Sequence, residues 1–260
     1  MLTRLAANRH VLKNLVVRDL QRRYVGSIGG FLWSVINPLA LLASYTFFFR
    51  VILNQPIEPQ YAAYNFPVFV YCGLLPWIFL SDTVMRNCGA IVENSILITK
   101  TVIPAEILPL SITISNLVHH AIGLGIFLVI LVLFFQVHVS ALLVLLYLPI
   151  MLLFAQGLGW ILAGLQVYIR DTVQALQIAL LLWFWFTPVL YPMTRLSQKW
   201  QLLSRFNPMV TIVTGYRNAL LNQAMPSAGD VLLVFASSAA VFVIGALLFH
   251  HAKTGFADVL

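Results

Sequence analysis

Charge is scarce in this chain. Of its 260 residues only 9% are Asp, Glu, Lys or Arg, against about 25% in an ordinary soluble domain. So few charges cannot supply a polar face to every helix, and that excludes a water-soluble bundle. Cysteine is scarcer still: Cys72 and Cys88 stand alone and make neither a C-x-x-C motif nor a disulfide framework. The signatures G-x-x-x-x-G-K-[ST], H-E-x-x-H and G-x-S-x-G are absent. The sequence therefore offers no phosphate-cradling loop for ATP and no hydrolase motif. Carboxylates are nearly missing from the apolar stretches away from their edges. Proton- or sodium-coupled carriers need ionisable or unwound sites near the membrane midplane, so ion coupling is a poor fit. Residues 1–29 carry charges throughout and no apolar h-region, which leaves the first span to direct insertion.

What is present is apolar: 61% of the residues are hydrophobic. Six runs are long enough to cross a hydrocarbon core of about 30 Å, which takes ~20 helical residues. They are Gly30–Leu53, Phe66–Met85, Ile114–Phe135, Leu142–Val167, Val173–Tyr191 and Val231–Phe249. The expected class is all-α: one polytopic transmembrane domain over 1–260, with no room for an extramembrane enzyme domain. The net charge of +7 reads as a topology signal rather than a nucleic-acid signal. If all six runs cross, Arg4, Arg9, Lys13, Arg18, Arg22, Arg23, Arg86, Lys100, Arg170 and Lys253 share one side. The positive-inside rule then puts both termini in the cytoplasm. Arg195, Lys199, Arg205 and Arg217 run against it, in an outer loop long enough to hold structure of its own.

Residues 3–24 read as an amphipathic helix lying in the membrane interface, with Leu5, Leu12, Leu15, Val16 and Leu20 at helical spacing. Gly26, Gly29 and Gly30 loosen the chain after it, and Asn37–Pro38 predicts a kink. Trp33, Asn37, Ser44 and Phe48 fall near one helical face, which should meet protein or a water-filled path. Asp82 and Arg86 are spaced for an i,i+4 ion pair. Asn94–Thr101 has room for two helical turns with Ile96, Leu97 and Ile98 exposed, and those need a cover, whether a partner or the bilayer surface. The third helix is expected to begin at Pro104. His119 and His120 read as satisfied interfacial histidines, since no ligand set stands at a metal spacing. Ala155, Gly159 and Ala163 repeat every four residues, as closely packed membrane helices require. Trp183, Phe184, Trp185 and Phe186 suggest an aromatic belt. In the outer loop, Asn207–Pro208 reads as a helix cap with a first-turn proline. A shorter helix around Trp200, Leu202, Leu203 and Phe206 precedes it, and two half-helices dipping back from the outer face fit this pattern. Ser227-x-x-Asp230 is spaced as a capping box for the last span.

Four stretches together resemble a known family: RRYVGSIGGFLWSVINPLALL at 22–42, ENSILITKTVIPAEILPLS at 93–111, YIRDTVQALQIALLLWFWFTPVLYPM at 168–193 and FNPMVTIVTGYRNALLN at 206–222. The chain looks like the membrane permease subunit of type-2 ABC exporters for polysaccharides, the O-antigen and teichoic-acid class. That resemblance implies a homodimer of six-span subunits in the bacterial cytoplasmic membrane. It implies two copies of a separate ATPase, which would hold the ATP and Mg, with no cofactor in this chain. It makes residues 3–24 the interface helix. Asn94, Ser95, Ile96, Leu97, Ile98 and Lys100 fall in the helix that docks on the ATPase. Residues 195–222 become outer gate helices, with Trp200, Phe206, Asn207, Pro208, Tyr216 and Arg217 among them. It points to Trp33, Asn37, Ser44, Tyr45, Phe48, Trp183 and Phe186 as the glycan channel. The implied cargo is an undecaprenyl-diphosphate-linked polysaccharide. A drug or small-lipid exporter, an ATP-independent carrier and an intramembrane enzyme using His119 or His120 are the other readings.

Overall fold

The computed structural model describes residues 8–24, 32–56, 61–100, 103–135, 137, 139–204, 206–222 and 224–259. Leu5, the glycines Gly26, Gly29 and Gly30, Thr101 and Arg205 lie outside the described residues, as does the side chain of Lys100. Among the described residues all regular structure is helical. In chain order the helices are α1 (Arg9–Tyr24), α2 (Leu32–Thr46), α3 (Phe66–Gly89), α4 (Ser95–Lys100), α5 (Ile107–Phe134) and α6 (Val144–Tyr168). They continue with α7 (Thr172–Phe186), α8 (Gln198–Ser204), α9 (Pro208–Arg217), α10 (Ala228–Ala252) and α11 (Phe256–Val259). Wider π-helical turns extend α2 over Phe47–Ile52 and α9 over Asn218–Asn222.

Among the described residues, four stretches are long and apolar enough to cross a membrane: Phe66–Gly89, Ile107–Phe134, Val139–Tyr168 and Ala228–Gly255. Two shorter apolar helices, Ile36–Ile52 and Thr172–Phe186, accompany them. α3 is the hub. Most of its side chains are buried, and α5, α6, α7 and α9 all pack on it. α1 lies across α5, and the Ser115 hydroxyl donates to the Val16 carbonyl at 3.4 Å.

α10 sits on α6 at the most extensive helix contact among the described residues. A Cβ built on Gly245 would overlap the Gly157 carbonyl oxygen, and one on Gly157 would stand 2.6 Å from Val241 and Phe242 main-chain atoms. Only hydrogen fits at either site, so the two backbones touch. Lipid tails are as apolar as leucine, so helices in a bilayer associate largely through such close packing. The four-residue stripe of Ala155, Gly159 and Ala163 is divided between neighbours. Gly159 lies against the Asn87 side chain of α3, and Ala163 joins a small second cluster with Trp160 and with Phe249 of α10.

The structure corrects three local expectations. The third span's helix begins at Ile107, not Pro104; Glu106 occupies the cap position and the Pro104 carbonyl accepts from the Ile107 N–H at 3.0 Å. Arg86 does not pair with Asp82. Its guanidinium forks onto Asp19 of α1, with Nη1 at 3.1 Å from Oδ2 and Nη2 closer to Oδ1. A bidentate Arg–carboxylate pair across two helices outcompetes a one-turn neighbour within one helix. The fifth apolar run reaches Tyr191, yet its helix stops at Phe186. Thr187 precedes Pro188 and is extended at φ −104°, ψ 127°, because the proline ring disfavours a helical residue before it.

Candidate functional site

A cavity of about 800 Å³ opens between α2, α3, α5 and α7. Trp33, Asn37 and Tyr45 line it from α2, and Leu180, Leu181 and Phe184 from α7. The Tyr45 ring stacks on Phe184, with centroids 5.7 Å apart and planes 24° apart. The wall is mostly apolar, interrupted by Ser81, Asp82, Asn116, His119 and His120. Asp82, freed from Arg86, is one of those groups. The remaining channel candidates lie elsewhere. Ser44 is exposed and donates back to the Ala40 carbonyl at 2.9 Å. Phe48 is exposed in the π-helical turn, edge-on to Phe49. Phe186 is exposed and tilts toward Trp200, with centroids 6.1 Å apart. Trp183 belongs to the end of the bundle that carries α8 and α9, the outer end on the topology expected from the sequence.

At that outer end the fifth run breaks. A 15-residue helix rises about 22 Å, short of a hydrocarbon core about 30 Å thick. The chain then continues as non-helical backbone, and Thr187, Pro188, Val189 and Leu190 are all buried. Irregular backbone survives at membrane depth only where protein or trapped water satisfies its polar groups. Arg217, 3% exposed, does so here. Its Nη1 donates to the Pro188 carbonyl at 2.5 Å, Nη2 to the Val189 carbonyl, and Nε to Phe69 O at 3.4 Å. The guanidinium carbon stands 3.9 Å from the Phe69 ring centroid, a favourable cation–π position. Gly73 leaves the space it occupies: a Cβ there would meet Nη2 at 2.7 Å. Buried Gln55 completes the set, its Nε2 3.5 Å from the Leu190 carbonyl.

Asn207 joins the same break to the start of α9. Its Oδ1 accepts from the Met209 N–H at 3.1 Å and from Trp183 Nε1 at 3.0 Å. Its Nδ2 donates to Thr187 Oγ1 at 3.1 Å, and that hydroxyl donates to the Trp183 carbonyl at 2.9 Å. The expected cap and first-turn Pro208 are both in place, and so is the bond of Asp230 N–H to Ser227 Oγ at 3.1 Å. Tyr216 is fully buried, and its hydroxyl lies 2.9 Å from His120 Nε2. This gives His120 a partner within the bundle. Trp200 is half exposed and Phe206 is 83% exposed.

At the opposite end, the inner one on that expected topology, a 3₁₀ turn Val92–Asn94 leads into α4. Asn94 Nδ2 donates to the Ala90 carbonyl at 2.9 Å, and Thr99 Oγ1 to the Ser95 carbonyl at 3.0 Å. Ile96 is 68% exposed. Leu97 and Ile98 are not: both pack on the inner cluster, which corrects the expectation that all three are bare. Lys100 ends the helix.

Several residues that hold these regions carried no usable sequence signal. Asp19 is the acidic residue within the basic α1, and nothing in its spacing names Arg86. Asn116 accepts from Arg86 at 3.3 Å and donates to Thr83 Oγ1 at 3.0 Å, while Asn87 donates to Thr113 Oγ1 at 3.0 Å. Amides and hydroxyls inside apolar runs were the available hint, since such groups find partners on facing helices.

The pattern of the ABC-2 type transporter family matches residues 10–221. The chain is 34% identical over 255 residues to the O-antigen export system permease protein RfbA of Myxococcus xanthus, covering 96% of this chain and 95% of that protein. It is 25% identical over 247 residues to the O-antigen export system permease protein RfbA of Klebsiella pneumoniae, covering 94% and 92%. It is 22% identical over 210 residues to the polysialic acid transport protein KpsM of Escherichia coli, covering 80% of each.

Proposed function

Since the chain belongs to the ABC-2 type transporter membrane family, as a transport subunit rather than an enzyme, we propose that it is the permease of an ATP-driven exporter of a lipid-linked polysaccharide. The cargo is a glycan on undecaprenyl diphosphate, and the membrane is the bacterial cytoplasmic one, with both termini inside. Two copies of this chain pair with two copies of a separate ATPase, which holds ATP and Mg. Relatives named for O-antigen export and polysialic acid transport support the polysaccharide class.

One observation carries the coupling role. α4 is a single short helix that turns Ile96 outward while Leu97 and Ile98 grip the bundle. An exposed apolar side chain beside a grip on the core suits a surface that a partner pushes. ATP binding closes the two ATPases, α4 carries that movement inward, and the outer hairpin of α8 and α9 opens. Trp33, Asn37 and Tyr45 offer ring faces, amides and hydroxyls to passing sugar. Replacing Ile96 by Glu is expected to abolish glycan export while insertion and protein level stay normal. Normal ATP-coupled export by that variant overturns the assignment.

A second reading, export of a small lipid or drug, draws on the mainly apolar lining of the cavity. Its size lies within the range of small-molecule pockets, roughly 300–1,000 Å³. The material that accumulates inside a deletion strain separates the two: a long lipid-linked glycan supports the first, a small amphiphile the second.

A further inference from the structure

The inner end of the bundle holds a hydrophobic cluster separate from the main core. Ile91, Leu108, Trp160, Val167, Phe249 and Phe256 are buried in it. Leu97 and Ile98 of α4 and Leu15 of α1 pack against it. The docking helix and the C-terminal turn of the chain thus share one small core. A buried ion pair ties the same two regions: Lys253 Nζ lies 2.5 Å from Glu106 Oε1, across 147 positions of sequence. The Glu106 side chain is 3% exposed and that of Lys253 is 18% exposed. Its other oxygen, Oε2, meets no donor among the described residues. Trp160 Nε1 reaches the Glu106 carbonyl at 3.5 Å, and the Tyr168 hydroxyl donates to the Ala252 carbonyl at 2.7 Å. Burial pushes the Glu106 carboxyl up, but the Lys253 bond and charge, with the His250 charge, outweigh it and hold the group below its usual range.

A six-residue helix cannot hold its own place, because helices this short are marginal without packing. A push on Ile96 would be absorbed by bending of the 90–106 connection unless both of its ends were fixed. Asn94 fixes the first end to Ala90. The second end is Glu106, whose carboxylate is held by Lys253 and whose carbonyl is reached by Trp160. Lys253 in turn follows α10, whose backbone touches that of α6 at Gly157 and Gly245. We infer that Lys253, Glu106 and Phe256 form a latch that makes the C-terminal turn part of the force path from the ATPase-docking helix into the α6–α10 pair. These are positioning residues, and the inference rests on the reading of α4 as the docking helix.

The test uses the full chain reconstituted in proteoliposomes with its partner ATPase, as wild type, Lys253→Met, Phe256→Ala and Lys253→Arg. Two quantities are read: glycan exported per ATP hydrolysed, and amide hydrogen exchange over residues 92–106 in the permease alone. Breaking a buried pair leaves an uncompensated charge and lowers the local opening energy, so Lys253→Met should exchange about tenfold faster there and export about tenfold less glycan per ATP. Phe256→Ala should shift both in the same direction, while ATPase binding and protein level hold. Lys253→Arg keeps the charge and should behave as wild type. Unchanged exchange and unchanged export per ATP in both disruptive variants overturn the latch. Faster exchange with unchanged export per ATP overturns its role in transmission. A wild type that shows no ATP-coupled export overturns the export reading instead, and the exchange measurement still decides the latch. Phe256→Ala carries the decision where Lys253→Met does not accumulate.

Discussion

The two ends of the bundle are held by opposite means. At the outer end a broken span is repaired by one buried cation bonded to neutral carbonyls, with Asn207, Trp183 and Thr187 as neutral neighbours. At the inner end the ties are ion pairs between distant segments, Asp19–Arg86 and Glu106–Lys253, beside the exposed Ile96. The difference follows from where the irregular backbone lies. At membrane depth each open carbonyl costs several kcal/mol, so the outer break must be satisfied as a unit. Among the paired charges, the part-exposed Arg86–Asp19 pair sets position more than stability, whereas Glu106 is buried and loses more when Lys253 is removed.

Removing the outer cation is the most direct way to break that comparison. Arg217→Ala would strand the Pro188 and Val189 carbonyls at once, while the Phe69 carbonyl keeps its own place inside α3. At about 1–3 kcal/mol for each unmade bond, the total is ~4 kcal/mol. Thermal inactivation in detergent should drop sharply and protein level should fall. Arg217→Lys should rescue little, since a point charge cannot reproduce the guanidinium fork. A stable, active Lys variant would show that charge alone holds the outer end.

The glycine contact joins the two ends, and a larger residue there should loosen both. Gly245→Val places atoms where the Gly157 carbonyl stands, and overpacking of this kind costs about 1–3 kcal/mol. A lower unfolding temperature accompanied by faster exchange at both ends is expected; an effect confined to one end would mean that α6 and α10 do not move together. Asn207→Ala should act on the outer end alone. It removes a helix cap worth ~1 kcal/mol and the link to Trp183, which fluorescence of that indole would report. Acid should act on the inner end alone, and more gently. The folded Glu106 pKa is lowered from its ordinary value. Its stabilisation is therefore complete above the unfolded value, about 4.3, and is lost as pH falls through the folded one. Exchange over 92–106 should quicken across that window while the amides of α9 stay protected.

Much of the architecture is legible in the order of the residues. Apolar length names the membrane class, and Asn207–Pro208 and Ser227–Asp230 name two helix starts, because a cap bonds to the backbone a fixed two or three residues on. Pro188 carries the signal for the end of α7, but the aromatic run beside it argues for a full span and obscures it. Arg217 and Tyr216 stand out through a family resemblance; their partners Phe69, Val189 and His120 are not foreseeable from spacing. The set Trp33, Asn37, Ser44 and Phe48 is divided, because one helical face meets a cavity along only part of its length.

By itself the sequence determined an apolar, helical, membrane-crossing chain, since those properties follow from composition, run length and short-range backbone rules. Only the tertiary structure decided that Arg86 turns to Asp19 and not Asp82, that Arg217 fills the broken span, and that Lys253 reaches Glu106. Those choices depend on which helices become neighbours, and a side chain selects among distant partners by geometry and burial that no local spacing encodes.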